Sequence, residues 1–136
     1  MSINTLGLVA ALTAFLAIWG GHVSVRKIEF TSPTIWLPTV IFAALGLATE
    51  YFSLSTVHRP LSAALGILGI TLLFDAFEFT RQRKRIRKGH APANPNNPRH
   101  ARILAEHSSA TTLDLLKRDP IGRQVSPEEA PKLITH

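Results

Sequence analysis

The sequence contains no cysteine, which excludes disulfides, thiolate metal sites and thiol nucleophiles. Its first eighty residues also contain very little charge, with three basic and four acidic side chains and a net charge of −1. Residues 81–136 carry twelve basic and five acidic side chains, a net charge of +7. The overall charge of +6 would by itself suggest a nucleic-acid partner. Because the basic excess is confined to one segment, that segment has to be interpreted separately from the apolar one.

Motifs that bind cofactors or carry out catalysis are missing as well. The six histidines are scattered along the chain and form neither H-E-x-x-H nor any other i,i+4 pair, the spacing that metal-binding helices use. Neither G-x-x-x-x-G-K nor G-x-G-x-x-G occurs, so no glycine-rich phosphate loop is indicated. We therefore predict no enzymatic activity, no metal site and no cofactor.

Three long apolar segments fill the first eighty residues. A helix needs about 20 residues to cross a bilayer core of about 30 Å, and each segment is long enough. We predict membrane-spanning helices at about residues 3–22, 33–52 and 60–82, within an all-α membrane domain of residues 1–90. A soluble bundle is disfavoured because its helices would carry a polar stripe. A signal peptide is disfavoured because no basic residue precedes the first segment.

The distribution of Lys and Arg between the connections predicts the orientation. The first connection carries Arg26 and Lys27, the second carries only Arg59, and residues 81–88 (RQRKRIRK) carry six basic side chains. Three spans place the first connection and the C-terminus on the same side of the membrane. We therefore predict a multi-pass protein of the bacterial inner membrane, with its N-terminus outside and its C-terminus in the cytoplasm.

The basic cluster after the third apolar segment suggests nucleic-acid binding, a nuclear address or a membrane anchor. We predict that it stops translocation and lies against anionic lipid headgroups, where each basic side chain contributes on the order of 1 kcal/mol. Nucleic-acid binding is disfavoured because no aromatic residues are interleaved with the charges. The basic cluster consists of Arg81, Arg83, Lys84, Arg85, Arg87 and Lys88.

Small residues predict where the helices approach one another. Membrane helices associate through small side chains that allow close backbone contact. The first and third apolar segments each carry such residues on one side, although glycine and alanine are also simply common in membrane helices. The predicted packing positions are Gly7, Ala11, Ser62, Gly66 and Gly69.

Two acidic residues interrupt the third apolar segment. Asp75 and Glu78 are three residues apart, so they share a face of the predicted helix. Ionisable residues inside a membrane mark proton or ion pathways, which is one interpretation. The other is that the two carboxylates are satisfied by nearby basic residues such as Arg81 or Lys27 and orient the third helix.

Several short patterns resemble an uncharacterised family of short bacterial three-helix membrane proteins, one of the domains of unknown function. The resemblance covers about residues 5–95, and its most specific part is E-x-x-x-Q-x-x-R followed by K-G-x-x-P-x-N-P. This chain has Val23 where the family has proline and His90 where the family has an aromatic residue. The resemblance implies the three-helix topology and no particular activity. The matching positions are His22, Lys27, Glu29, Trp36, Gly66, Gly69, Glu78, Gln82, Arg85, Lys88, Gly89, Pro92, Asn94 and Pro95.

Residues 91–136 are predicted to form an extended, largely irregular cytoplasmic tail. The run APANPNNPRH is rich in proline and asparagine and is typical of a non-helical linker. One short helix is predicted from residue 111 or 112 to residue 118, because Pro120 would stop it. Its apolar residues Leu113, Leu115 and Leu116 are too few to fold alone, so we expect them to dock on a partner.

These patterns together predict a small accessory or anchoring subunit that packs against a larger membrane complex, with its tail on cytoplasmic neighbours. The partners would be anionic lipids and other subunits, or further copies of this chain, and not nucleic acid. The alternative is a small oligomeric ion transporter or proton-coupled transporter that uses Asp75 and Glu78.

Overall fold

A computed structural model describes residues 4–114 and 126–133 of the chain. In this part of the chain the regular structure is entirely helical: α1 Thr5–Thr31, α2 Trp36–Ser55, α3 Arg59–Arg87, α4 Pro98–Glu106 and a short 3-10 helix at Ala130–Leu133. The chain divides into two compact units, the first unit Met1–Arg81 and the second unit Gln82–His136. Helices α1, α2 and α3 are each long and apolar enough to cross a membrane, which confirms the predicted all-helical fold with three candidate membrane spans.

Helix α1 is longer than the sequence predicted. It begins after Asn4, whose side-chain oxygen accepts the Gly7 N–H at 3.1 Å, as an N-cap residue does. It continues past residue 22 to Thr31, because Arg26 and Lys27 are good helix formers and their charge marks a change of environment, not the end of a helix. The prediction equated the end of the apolar run with the end of the helix, and this was wrong by nine residues.

Helices α2 and α3 are joined by the short segment 56–58. The Nδ1 atom of His58 accepts a hydrogen bond from the Leu61 N–H at 3.3 Å. This bond gives an acceptor to one of the backbone N–H groups that have no partner within the first turn of α3. Pro38 lies in the first turn of α2, where the amide hydrogen that proline lacks has no partner in the helix anyway.

The end of α3 is closed by Gly89, which has a positive φ of 71°. The His90 N–H bonds the Arg85 carbonyl at 2.8 Å and the Gly89 N–H bonds the Ile86 carbonyl at 3.0 Å. This pair of bonds is the Schellman motif. A Cβ at Gly89 would also collide with the Ser109 carbonyl oxygen, so glycine satisfies both the backbone conformation and the space.

Helix α4 lies in a region where the sequence predicted an extended linker, and that prediction was wrong for residues 98–106. The Asn97 side chain accepts the Arg99 N–H at 3.0 Å, and Pro98 occupies the first helical position. Proline is favoured there because its missing N–H and fixed φ suit a helix start. The prediction treated every proline of this run as a helix breaker and did not recognise an asparagine cap followed by proline.

The second unit has a small apolar core of its own. Ile86, Ala91, Ala93 and Ile103 are buried together, with Leu104 and Ala110 packed beside them. The prediction of an extended, largely irregular tail from residue 91 is therefore wrong for the part of it that contributes Ala91, Ala93 and Ile103 to this core.

The helix predicted to start at residue 111 or 112 is not present at its first positions, because residues 111–114 are non-helical. Leu113 is half-buried, and its N–H donates to the Thr111 hydroxyl oxygen at 3.1 Å. Leu115 and Leu116 lie outside the described residues.

Candidate functional site

The contact between α2 and α3 consists of small residues and reciprocal hydrogen bonds. The Ser53 hydroxyl donates to the Ser62 carbonyl at 2.8 Å, and the Ser62 hydroxyl donates to the Ser53 carbonyl at 2.9 Å. A Cβ at Gly66 would lie 3.0 Å from the Ser53 hydroxyl oxygen. The predicted packing residues Ser62 and Gly66 thus lie where the two helices touch.

The same contact continues along both helices. Gly69 is buried, and a Cβ at this position would lie 2.7 Å from a carboxylate oxygen of Glu50. A Cβ at Gly46 would lie 2.7 Å from Leu73 Cγ and 3.0 Å from the Gly69 carbonyl oxygen. The two helices can therefore approach this closely only because Gly46 and Gly69 lack side chains.

The aromatic rings of Phe42 and Phe79 extend this contact. Their centroids are 5.2 Å apart and their planes are nearly perpendicular, at 88°. This edge-to-face arrangement is a favourable geometry for an aromatic pair. Phe79 is fully buried, so it anchors the α2–α3 pair at the end opposite Ser53.

Asp75 lies at the contact between α3 and α1. Its carboxylate lies so close to Gly21 that a Cβ on this glycine would overlap it. Asp75 is only 5 % exposed. Asp75 lines a crevice of about 350 Å³. The other lining residues are His22, Thr71 and the apolar side chains Ile18, Ile70 and Phe74. The crevice is therefore apolar with one acidic and one imidazole group, a combination typical of small ligand pockets.

Glu78, the second predicted acid, is also only 5 % exposed. One carboxylate oxygen lies 3.7 Å from a guanidinium nitrogen of Arg81, whose side chain is 63 % exposed. The same guanidinium stacks over the Phe74 ring at 5.6 Å from its centroid. The pairing of Glu78 with Arg81 is the contact that the second interpretation of the acids expected, whereas Asp75 faces Gly21 and His22.

Three residues that the structure buries or places against a neighbouring helix were not predicted from the sequence. Glu29 is 1 % exposed and is the most deeply buried acid described, but it was treated only as a family position. Gly46 and Glu50 face α3, although the prediction considered neither for packing. Gly46, Glu50 and Ser53 occupy positions i, i+4 and i+7 of α2. This spacing places these three residues on one face of the helix and could have identified Gly46 and Glu50 from the sequence.

Other predicted positions remain at the surface. Gly7 and Ala11 of α1 are exposed, and a Cβ at Gly7 would meet the Asn4 side chain of its own N-cap. In the basic cluster, Arg87 is half-buried and the other five side chains are exposed. The Arg85 guanidinium donates to the Gln82 side-chain oxygen at 3.3 Å.

Across residues 4–114 and 126–133, no group of three or more His, Asp and Glu side chains has the arrangement of a metal site. Residues 4–97 match the family described as Domain of unknown function (DUF4491). Since this match covers most of the chain, the protein belongs to that family, and the resemblance inferred from the sequence is confirmed. Comparisons with curated proteins and with solved structures give no match.

Proposed function

We propose that this member of an uncharacterised family is a small integral membrane subunit that packs α1 against helices of a larger membrane complex. The observation that carries the proposal is the exposure of α1. None of its most apolar stretch is buried in the chain, compared with 17 % of the corresponding stretches of α2 and α3. A membrane helix with so few contacts to its own chain has most of its surface available for a neighbour.

The small residues of α1 support a helix as that neighbour. Gly7 and Ala11 are exposed and lie four residues apart, so they occupy one face of α1. Close approach through small residues is how membrane helices associate, and the same chemistry is used within this chain where Gly46 and Gly69 meet. The first buried residue of α1 is Val25, and Gly21 is the first glycine of α1 at which a Cβ would meet another helix.

Site-directed crosslinking tests this proposal directly, because the chain has no cysteine of its own. Ala11→Cys should give a crosslinked product in native membranes. The matched control is Leu16→Cys, because Leu16 is also exposed, at 58 %, but lies about 140° around α1 from Ala11 at 100° per residue. Equal crosslinking from both positions would show nonspecific encounter and contradict the proposal.

Mass spectrometry of the complex purified in gentle detergent identifies the partner. The proposal expects other membrane proteins to copurify in fixed ratio and to be lost in Ala11→Trp. Recovery of this chain alone, as a homo-oligomer, would contradict the accessory-subunit role.

The orientation and location are part of the same proposal. We propose an N-terminus outside, a C-terminus in the cytoplasm and a place in the bacterial inner membrane, supported by the bias of Lys and Arg toward the C-terminal end of α1, with Arg26 and Lys27, and toward residues 81–88. Reporter fusions after residues 30 and 95 should both be cytoplasmic, and a fusion at Ser55 should be external. The reverse pattern would contradict this orientation.

A second candidate function is ion or proton-coupled transport. It is favoured by one observation: Asp75 is nearly buried in membrane-spanning helices and lines an apolar crevice beside His22. Intramembrane acids in such positions are characteristic of ion pathways.

In proteoliposomes, the double variant Asp75→Asn with Glu78→Gln should abolish ion or proton flux while the protein remains folded. Glu128→Gln, which removes an exposed acid of the second unit, is the control. Unchanged flux in the double variant would exclude transport by these acids.

A further inference from the structure

We propose that four arginines of the second unit form a binding site for a phosphate group. The site is a cavity of about 100 Å³ between the last turns of α3 and one face of α4. A cavity of this volume has room for several water molecules, which suits a small anion or a phosphate headgroup and not a large ligand. It is lined by Arg83, Arg87, Arg99, Arg102, Ile103 and Glu106.

Helix geometry explains why the four guanidinium groups converge. Arg83 and Arg87 are four residues apart on α3, so they lie on the same face. Arg99, Arg102 and Glu106 occupy positions i, i+3 and i+7 of α4, which also share a face. Counted over the described residues, the lining carries four positive charges and one negative charge. Lys84 and Lys88 belong to the same basic cluster but are not among these lining residues.

Arg99 is the most buried of the four arginines, and it lies on a face of α4 that the fold fixes. Arg99 is only 8 % exposed, and its backbone N–H is bonded to the Asn97 cap. Ile103, 3 % exposed, fixes the same face of α4 in the apolar core of the second unit. Guanidinium groups positioned before a ligand arrives bind it with less loss of conformational entropy.

Arg87 provides a direct sign of a missing acceptor. Its Nε–H is buried and has no hydrogen-bond acceptor within the described part of the chain. A buried donor without an acceptor is costly, and an oxygen of a bound anion would remove that cost.

The chemistry of the lining favours phosphate over carboxylate. Guanidinium groups bind phosphate oxygens in pairs, with geometric specificity that an ammonium lacks. A carboxylate offers two oxygens and one charge, whereas a phosphomonoester offers three free oxygens and close to two charges. The phosphate could belong to a lipid headgroup or be free in solution, and Arg83 and Arg87 follow the apolar part of α3 directly in the sequence.

The test uses the full-length protein in nanodiscs and two probes, inorganic phosphate and phosphatidic acid mixed into phosphatidylcholine. Arg102→Gln should weaken binding roughly tenfold for whichever of the two probes the site binds. This is the effect of losing one charge-assisted hydrogen bond. Arg83→Gln should act similarly, and because both side chains are exposed, the fold tolerates either change. Lys84→Gln removes the same charge outside the cavity and should weaken binding less than about twofold, since exposed charges are screened.

Arg87→Lys separates a built site from general attraction, because it keeps the charge and loses the guanidinium fork. A loss comparable to that of Arg102→Gln supports the site. If phosphatidic acid responds to these variants and inorganic phosphate does not, the ligand is a lipid headgroup; if inorganic phosphate responds equally, the ligand is free phosphate. Equal losses in Arg102→Gln and Lys84→Gln, or no binding of either probe, would overturn the proposal.

Discussion

The two units of this chain differ mainly in the kind of side chain that they leave exposed. In the first unit the buried positions include small and polar residues such as Gly46, Ser53 and Asp75, and large apolar side chains such as Phe15 and Leu47 are exposed. In the second unit Ile86 and Ile103 are buried and most basic side chains are exposed. The exposed apolar side chains of the first unit suit apolar surroundings, in which helices associate through close contact, whereas the exposed charges of the second unit suit water.

The largest effect is expected when an exposed apolar residue becomes charged in each unit. Leu47 lies near the middle of α2 and is 63 % exposed, so Leu47→Arg should cost about 3 kcal/mol of insertion free energy. Ala101→Arg, at an exposed position of α4, should change stability by less than about 0.5 kcal/mol. Protease protection in membrane vesicles measures the first, and thermal unfolding of the purified protein measures the second. Equal tolerance at both positions would abolish the distinction between the units.

The next effect concerns the core of the second unit. Ile103→Ala removes a side chain that is 3 % exposed, and should cost about 2 kcal/mol. Hydrogen exchange over residues 98–106 should become roughly thirtyfold faster, while exchange in α1 and α2 stays unchanged. Leu104→Ala, at a half-buried neighbour, is the control and should have a smaller effect. A change that spreads into α1 and α2 would show that the units do not unfold separately.

A smaller effect is expected at the start of α4. Asn97→Ala removes the side-chain acceptor of the Arg99 N–H and should cost about 1 kcal/mol. Asn97→Ser should retain most of the stability, since serine is also a good N-cap residue. Amide exchange at the first turn of α4 measures the difference. If Asn97→Ala and Asn97→Ser exchange alike, capping is not what stabilises this helix.

The smallest effect belongs to the polar contact of the first unit. Ser53→Ala and Ser62→Ala each remove one hydrogen bond between α2 and α3, and each should cost about 0.6 kcal/mol. Ser55→Ala is the matched control, because the Ser55 hydroxyl donates to the Tyr51 carbonyl within its own helix. Unfolding in mixed micelles gives these values. A loss in Ser55→Ala as large as in Ser53→Ala would contradict the role of the interhelical bonds.

The three long helices followed from the sequence because a run of about 20 apolar residues has few other stable states. The helix ends did not follow, since Arg26 and Lys27 are compatible with both helix and connection. Helix α4 was missed because proline has opposite meanings at a helix start and inside a helix. The positions of Asp75 and Glu78 on one helix were predictable, but the contact of Asp75 with Gly21 depends on how α1 packs on α3. The deep burial of Glu29 likewise depends on packing that no local pattern encodes.

The turn at Gly89 has a consequence for the last turn of α3. Three successive carbonyl groups there accept hydrogen bonds from the chain that follows: Arg85 from His90, Ile86 from Gly89, and Arg87 from the Ser109 hydroxyl at 2.6 Å. Helix ends normally fray because their last carbonyls have only water as a partner. Here fraying would also break the hydrogen bond from Ser109 to Arg87. The C-terminal end of α3 therefore cannot unfold one residue at a time. Its last turn therefore opens only together with the segment that folds back over it, as a single cooperative unit.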